Sequence, residues 1–442
     1  MEGRQRARSD QPSQLVIHDA EGKIEDESTY QYDAFPCVVS TSQSPCHGTP
    51  LWCWSPSRPL VPGPSLKRSG ADVSGRAVGR DWVILVRVVV TGASGSVGTA
   101  LLRSVPAHDW SILAVARRIP SWRRPPYDRA RWLSCDVGDS AAISVLARTF
   151  TGAAAVVHLA WAISPRSDDP PRSRTNIGGT RHVLQAIERA GVPHLIFASS
   201  VAAYAPPPRW ALVDEGAPLG GIPSSAYSRD KATVESMLDD FERRCPSTRV
   251  ARIRPCAVVQ HDAGAQLASW TMSPLIPSQV IGQRWLPVPL WRGLRAQIIH
   301  AEDVASALWS IVQTGAEGAF NLASSPVLSR SDLGRILGGF ALPLPRRLLS
   351  ALAWPTWRIG LQPSHPGWLA MADQAALVTT ERARAELRWS PQHSADAALA
   401  DCAAGIRATA HPPSPALQPE HPSDIYGRLR ALHLGSPMRQ RA

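Results

Sequence analysis

The sequence predicts an α/β chain built on a doubly wound parallel sheet, with a smaller C-terminal substrate lobe and disordered tails at both ends. Three observations carry this expectation. An apolar, β-branched run over 83–90 stops at a glycine-rich turn, and short apolar runs then alternate with segments of helical period. Polar residues of chemical interest fall where those apolar runs end.

The run over 83–90 reads as a parallel strand buried on both faces. It passes into Thr91-Gly-Ala-Ser-Gly-Ser-Val-Gly98, and a helix over 99–103 follows. In such a turn Gly92 permits the tight bend and Gly95 lets backbone N–H groups approach a pyrophosphate. Gly98 lets the helix sit close to the sheet, and the anion rests on the helix N-terminus. The Gly-x-x-Gly-x-x-Gly spacing departs from the Gly-x-Gly-x-x-Gly fingerprint, so on this segment alone an ordinary βα turn stays open. Residues 112–116, 132–135, 153–159, 194–198 and 249–253 read as the second to sixth strands, with helices over 180–190 and 226–244 among them. The ligand crevice of such a sheet lies at the carboxyl ends of its strands. Asp136 follows the third strand, His158-Leu159-Ala160-Trp161 closes the fourth, and Ser199-Ser200 closes the fifth.

With these pieces in order, the chain resembles the extended short-chain dehydrogenases/reductases, the Rossmann-type family that includes NAD-dependent sugar-nucleotide epimerases and dehydratases. The matching segments are the glycine turn, Cys135-Asp-Val-Gly-Asp139, Val156-Val-His-Leu-Ala160, Asn176-Ile-Gly-Gly-Thr180 and Phe197-Ala-Ser-Ser-Val-Ala-Ala-Tyr204. They continue with Tyr227-x-x-x-Lys231, Arg254-Pro255, His300-Ala-Glu-Asp-Val-Ala305, Phe320-Asn-Leu-Ala323 and Leu387-Arg-Trp-Ser-Pro391. The resemblance implies Ser200, Tyr227 and Lys231 as the catalytic set. It implies a dinucleotide held by Gly92, Ser94, Gly95, Ser96, Val97, Gly98, Asp136, Val137, Leu159, Ala160, Trp161, Asn176 and Ser199, with Tyr227 and Lys231. Ser200 is preferred to Ser199 because the family's catalytic hydroxyl lies four residues before the tyrosine that Tyr204 matches.

Hydride exchange at a carbonyl or alcohol needs a group that trades a proton near neutrality, and a free tyrosine titrates near 10. Bringing Tyr227 toward 7 takes about 3 pKa units, or roughly 4 kcal/mol, which a fixed cation in a partly desolvated site can supply. Residues i and i+4 share a helix face, which sets Lys231 beside Tyr227. Ser200 would hydrogen-bond the reacting oxygen. Singly, each residue has an ordinary explanation, a solvated lysine or a turn-satisfying serine. Their joint occurrence in one order favours the catalytic assignment.

At the end of the second strand stands Val115-Ala116-Arg117-Arg118, with no carboxylate for a ribose 2′-hydroxyl. Arginines suit a 2′-phosphate, so Arg117 and Arg118 favour NADP over NAD. Asp136 takes the adenine amino group by resemblance, or else caps the next helix. Dehydratases of the family carry an acidic pair after the catalytic hydroxyl, where this chain has Val201 and Ala202. The expected activity is an NAD(P)-dependent oxidoreductase acting on a carbonyl or secondary alcohol of a small or nucleotide-linked substrate. A sugar-nucleotide epimerase is the alternative, and a non-catalytic dinucleotide-binding sensor or scaffold is the alternative of another class.

Domain expectations follow: 1–82 as a disordered or mis-assigned extension with translation starting near Val83 or Val86, 83–259 as the dinucleotide domain, 260–404 as the substrate lobe with some segments returning to the Rossmann core, and 405–442 as a flexible tail. Substrate contacts are expected from 161–175, 205–225 and 260–295. The last holds Arg284, Trp285, Trp291, Arg292 and Arg295, which suit an anionic or nucleotide-linked substrate or else serve as core tryptophans and surface arginines. Asp303 reads as a structural helix-start residue.

The 442 residues, 44% of them hydrophobic, suffice for one large α/β core with an attached lobe. The net charge of +11 is spread as arginine along the chain, not gathered on one helix, so no nucleic-acid partner is expected. Only Lys23, Lys67 and Lys231 are lysines, a bias that resembles a GC-rich genome. The seven cysteines show no recurring spacing, Cys37, Cys46, Cys53 and His47 match no common zinc site, and no metal is expected. That scatter suits a cytoplasmic protein, and no run of 18 uncharged apolar residues suggests a membrane span. Val183, Leu184 and Met237 are candidates for a homodimer interface.

Overall fold

Seven parallel strands form the frame. They are β1 (Val86–Thr91), β2 (Trp110–Ala116), β3 (Arg131–Ser134), β4 (Ala155–His158), β5 (His194–Ala198), β6 (Arg249–Pro255) and β7 (Gly318–Leu322). Their order is β3-β2-β1-β4-β5-β6-β7, and the short strand Ile17–His18 pairs antiparallel with Leu133 and Trp132 at the β3 edge. The computed structural model describes residues 17–18, 86–106, 110–164, 170–273 and 275–418. The disorder expected over 1–82, apart from that short strand, and over 419–442 falls outside the described residues.

Helices cover both faces, as a parallel sheet requires. Val88 and Val90 of β1 look to one side, toward Leu101 and Leu102 of α1 (Ser96–Arg103) and toward Val304, Leu308 and Ile311 of a later helix, Ala301–Thr314. Val89 looks to the other, toward Leu146 and Phe150 of α2 (Ala142–Phe150), Val183 and Ile187 of α3 (Gly179–Ala190), and Val234, Leu238 and Phe241 of α4 (Ala226–Arg244). All three valines are fully buried, which is why this strand reads as an unbroken apolar run rather than an alternating one. Val183 and Leu184, expected at a dimer interface, are buried in the chain's own core, because they lie on the face of α3 turned to the sheet.

After β6 the chain builds a smaller region from short pairs: Ala257–Val259 with Ile298–His300, Pro287–Leu290 with Phe340–Pro343, and Arg295–Ala296 with Leu328–Ser329. Its core joins Val259, Ile281, Ile298 and Leu328 to Leu399, Cys402 and Ile406 of the helix Ala395–Ala408. That helix crosses α5 (Gly264–Thr271) so closely that a Cβ on Gly264 would come 2.1 Å from the Gly405 carbonyl carbon. The chain then returns to the sheet through α6 (Ala301–Thr314) and β7, followed by α7 (Arg346–Arg358), α8 (Pro366–Gln374) and α9 (Ala395–Ala408).

Residues 409–418 differ from the flexible tail expected there. They run across the glycine turn, with Ser414 fully buried and Leu417 nearly so. Ser414 Oγ donates to the Ser94 carbonyl at 2.7 Å, and the Ser121 N–H donates to the Pro413 carbonyl at 3.0 Å. A proline-rich composition hides such a segment, since its partners are backbone groups far away in sequence. No helix of the described residues is long and apolar enough to cross a membrane.

Candidate active site

The switch point of the sheet lies between β1 and β4, where neighbouring connections leave in opposite directions. At the end of β1, Gly92 adopts φ +72°, and a Cβ there would meet the Ala160 nitrogen at 2.5 Å. This is a position for glycine on both counts. Helix α1 starts at Ser96, three residues earlier than expected, with Gly95 as its N-cap, no side-chain cap and no acidic residue in the first turn. Its first N–H groups are therefore left for an anion. Gly98 packs against the backbone of Ala93, where a Cβ would lie 2.5 Å from the carbonyl oxygen, so its closeness serves the turn rather than the sheet. Gln260 Nε2 donates to the Ser96 carbonyl at 3.0 Å and to its Oγ at 2.9 Å, which fixes the start of α1. An open helix end and a turn too tight for any Cβ fit a dinucleotide phosphate.

At the end of β5, Ser200 caps the short turn Val201–Ala203 by accepting the Ala202 N–H at 3.1 Å, and its Oγ lies 3.5 Å from the Pro255 carbonyl. Tyr227 and Lys231 stand one turn apart on α4, in agreement with the i, i+4 spacing. Lys231 is 3% exposed; its Nζ donates to the Ala198 carbonyl at 2.7 Å and sits 3.4 Å over the Trp161 ring. Burial pushes the Lys231 ammonium well below its ordinary range, opposed by Glu235 and Asp230. Burial pushes the Tyr227 hydroxyl up, and the Ser200 side chain works the other way. The expected lowering of Tyr227 by its lysine is not what this arrangement gives. Lys231 Nζ lies 5.8 Å from the tyrosine ring centre and is directed to Ala198 and Trp161.

A line of neutral hydrogen bonds underlies the site. Burial, with the nearby Lys231 charge, lowers His158 to about 3, so its ring is neutral at physiological pH. Thr91 Oγ1 lies 2.6 Å from Nδ1, Thr180 Oγ1 lies 3.2 Å from Nε2, and Thr180 donates to the Asn176 carbonyl at 2.6 Å. Consistent directions follow: Thr91 donates to Nδ1 and Nε2–H donates to Thr180. Asn176 lies in a π-helical turn (Arg174–Gly178), a local widening frequent at functional sites. Its side chain is bound to the Ala162 backbone at 2.8 and 3.1 Å and to Asp230 at 3.1 Å.

Other expected cofactor residues are less free. Arg117 and Arg118 are exposed at the end of β2, and Arg118 Nη2 donates to the Pro415 carbonyl at 3.3 Å. For Asp136, burial acts to raise the carboxyl, but the Gly138 N–H at 2.9 Å and Arg174 at 2.5 Å outweigh it and hold it low. Val137 is buried beneath α3, and its carbonyl lies 2.8 Å from His182 Nδ1. Ser199 turns from the crevice and donates to Glu235 at 2.5 Å. Leu159, Ala160 and Trp161 line the end of β4, and Trp161 Nε1 is buried with no hydrogen-bond partner among the described residues.

Sequence reasoning missed Glu235 and Trp368. Glu235 continues the 227, 231 series by four residues and is a charged residue on the buried stripe of α4, a legible signal. Trp368 of α8 packs its ring 5.4 Å from that of Tyr227, and nothing local announces it. Of the two readings for Trp291 and Arg295, substrate contact or structure, both residues take the structural one. Trp291 Nε1 donates to Asp373 at 2.7 Å, and Arg295 donates to the Asp373 and Ala375 carbonyls at 2.7 and 3.2 Å. Arg284, Trp285 and Arg292 are exposed. Asp303 accepts the Gln392 and His393 N–H groups at 2.7 and 3.1 Å, which ties the start of α6 to a later loop.

A glycine-turn nucleotide sheet with serine, tyrosine and lysine at its crevice defines a class of dinucleotide-dependent enzyme. The model of the NAD dependent epimerase/dehydratase family matches residues 88–323, and the chain belongs to that family. Residues 2–30 match a second model, described as an uncharacterized protein conserved in bacteria. The chain is 28% identical over 318 residues to a Streptomyces 3-diazoavenalumate denitrifying reductase, covering 70% of this chain and 97% of that protein. It is 33% identical over 175 residues to an Escherichia coli O157:H7 N-acetyl-alpha-D-glucosaminyl-diphospho-ditrans,octacis-undecaprenol 4-epimerase, covering 39% of this chain and 48% of that one. Among solved structures, a Thermus thermophilus UDP-glucose 4-epimerase in complex with NAD shares the fold at a TM-score of 0.53 and 19% identity, covering 73% of this chain and 99% of that one.

Proposed function

We propose that this enzyme is an NAD(P)-dependent reductase of a carbonyl group, with Ser200, Tyr227 and Lys231 as its catalytic residues and NADP(H) preferred through Arg117 and Arg118. The observation that carries the reading is the placement of Ser200 at the end of β5 with Tyr227 and Lys231 one turn apart on α4, the tyrosine hydroxyl being pushed up by burial. A protonated tyrosine is a ready proton donor, which is what reduction asks of it.

The turn at 92–98 and the open start of α1 would hold the dinucleotide phosphates, and when bound the cofactor supplies the hydride. Ser200 orients the substrate oxygen, and Tyr227 passes its hydroxyl proton to that oxygen as the carbonyl becomes an alcohol. Lys231, one turn along α4, holds the Ala198 end of β5 beside the tyrosine, and a proton from water restores the tyrosine. Epimerisation with the same residues begins with the tyrosine taking a proton instead of giving one. The Streptomyces relative, matched over nearly its whole length, is itself named a reductase.

Titration with NADPH and NADH, followed by nicotinamide fluorescence, tests the reading, with tighter NADPH binding expected. Tyr227→Phe should keep that binding and lose about 10²- to 10⁴-fold in turnover. Binding of neither cofactor would refute the proposal, and an NAD-only enzyme that equilibrates sugar epimers would replace it.

A further inference from the structure

Three features of the crevice bear on what it accepts. First, Tyr227 stands between two indoles: Trp161 meets it edge-on at 6.3 Å and 81°, and Trp368 lies against it at 5.4 Å and 35°. Second, Trp161 Nε1 is a buried donor with no acceptor among the described residues, although buried donors are as a rule satisfied. Third, several arginines of the smaller region are spent on structure. Asp373 binds Arg209 at 2.8 Å, Trp291 at 2.7 Å and Arg346 at 2.9 Å, while Arg295 is held by backbone carbonyls. The same Asp373 lies in the last turn of the helix that carries Trp368, so Arg209, Arg346 and Arg295 help fix an aromatic wall beside the catalytic hydroxyl.

We infer that the substrate is a small planar aromatic carbonyl compound whose ring stacks on Trp368 and which offers a polar acceptor to Trp161 Nε1. The inference rests on the reductase reading above and narrows it. Flat rings gain from offset stacking on an indole in a way that saturated rings of equal size do not. Meeting an orphaned indole N–H adds selectivity, because a ligand without an acceptor leaves that donor buried and unpaired.

The test uses the full chain loaded with NADPH and two probes of similar size, benzaldehyde and cyclohexanecarbaldehyde, with UDP-glucose as a third. Binding is read by quenching of tryptophan fluorescence and by calorimetry. Benzaldehyde should bind about tenfold more tightly than its saturated counterpart, a difference of about 1.4 kcal/mol. Trp368→Leu should erase the difference and Trp368→Phe should retain most of it, with NADPH affinity unchanged in both. Equal affinities in the wild type, or a Trp368→Leu variant that weakens both aldehydes equally, would overturn the inference and leave the reductase reading standing. Saturable UDP-glucose binding in competition with benzaldehyde would overturn it too. Failure of the wild type to bind NADPH would instead remove the reading beneath it. Should Trp368→Leu not fold, the wild-type comparison and Trp368→Phe still decide.

Discussion

Ser199 donates to Glu235 at 2.5 Å and so ties the strand end that carries Ser200 to the helix that carries Tyr227 and Lys231. Glu235 is fully buried and also accepts Arg254 Nε at 2.8 Å and Nη2 at 3.0 Å. Arg254 reaches on to Tyr204 at 2.9 Å, which donates to Asn321 of β7 at 2.8 Å. Three strands and one helix are joined through a single carboxylate.

Removing that carboxylate leaves the Arg254 charge buried without its partner. Glu235→Ala is expected to cost about 3–5 kcal/mol of stability, the usual penalty for breaking a buried pair. Glu235→Gln, which keeps an acceptor, should cost less. Urea unfolding followed by circular dichroism checks both, and an unchanged midpoint in the alanine variant would show that the network carries no stability.

The glycine turn gives a contrast between two neighbours. Gly98→Ala sets a methyl 2.5 Å from the Ala93 carbonyl oxygen, whereas the nearest atom to a Cβ on Gly95 is the Gly92 oxygen at 3.3 Å. Overpacking of the first kind costs about 1–3 kcal/mol. Gly98→Ala should lower the melting temperature and weaken NADPH binding, and Gly95→Ala should do so less. Thermal melts with and without NADPH distinguish the two.

His158 sets a pH dependence. Its folded pKa of about 3 lies below the ordinary histidine value of 6.5, so the unfolded chain binds a proton that the native one refuses. Its contribution to stability is intact above about pH 6.5 and declines below it by up to about 1.4 kcal/mol per pH unit, until the folded group also titrates. His158→Gln should flatten the wild-type slope between about pH 6.5 and 5 in denaturant titrations. Equal slopes would mean that the ring takes up a proton in the native state.

Asp373, 1% exposed at its side chain, is expected to act at a distance from the proton transfer by holding α8. Asp373→Ala leaves Trp291 Nε1 buried and unpaired, at a cost of about 1–3 kcal/mol. It should raise KM for an aldehyde substrate about tenfold, roughly 1.4 kcal/mol of binding, with kcat and NADPH affinity little changed. Steady-state kinetics with each component varied in turn separates these effects, and a fall in kcat alone would argue against a positioning role.

Much of the frame was legible because its signals are local. Helix α4 and strand β5 occupy the residues expected of them, since each is marked by an unbroken periodic pattern and an abrupt stop. Tyr227 and Lys231 could be paired from spacing alone. Contacts made by one residue with a distant segment were not legible. Trp368 lies in a stretch broken by prolines and arginines, and only the folded chain shows that its ring meets Tyr227. For Arg295 and Trp291 substrate contact and a structural role both stayed open, because Asp373 stands about eighty residues away. Ser414 sits in a proline-rich segment without periodicity, and the contact of its hydroxyl with Ser94 leaves no trace in composition.

That last contact also sets a schedule for biosynthesis. Ser94 and Ser414 are 320 residues apart, so at about 5–20 residues per second the glycine turn leaves the ribosome roughly 16–64 s before the segment that covers it. Sheet strands β2 to β7 are all translated in that interval, and the nucleotide crevice is assembled while still uncovered. Cofactor present during synthesis would meet the turn in its open form, and the segment around Ser414 settles over a sheet whose strands are already translated.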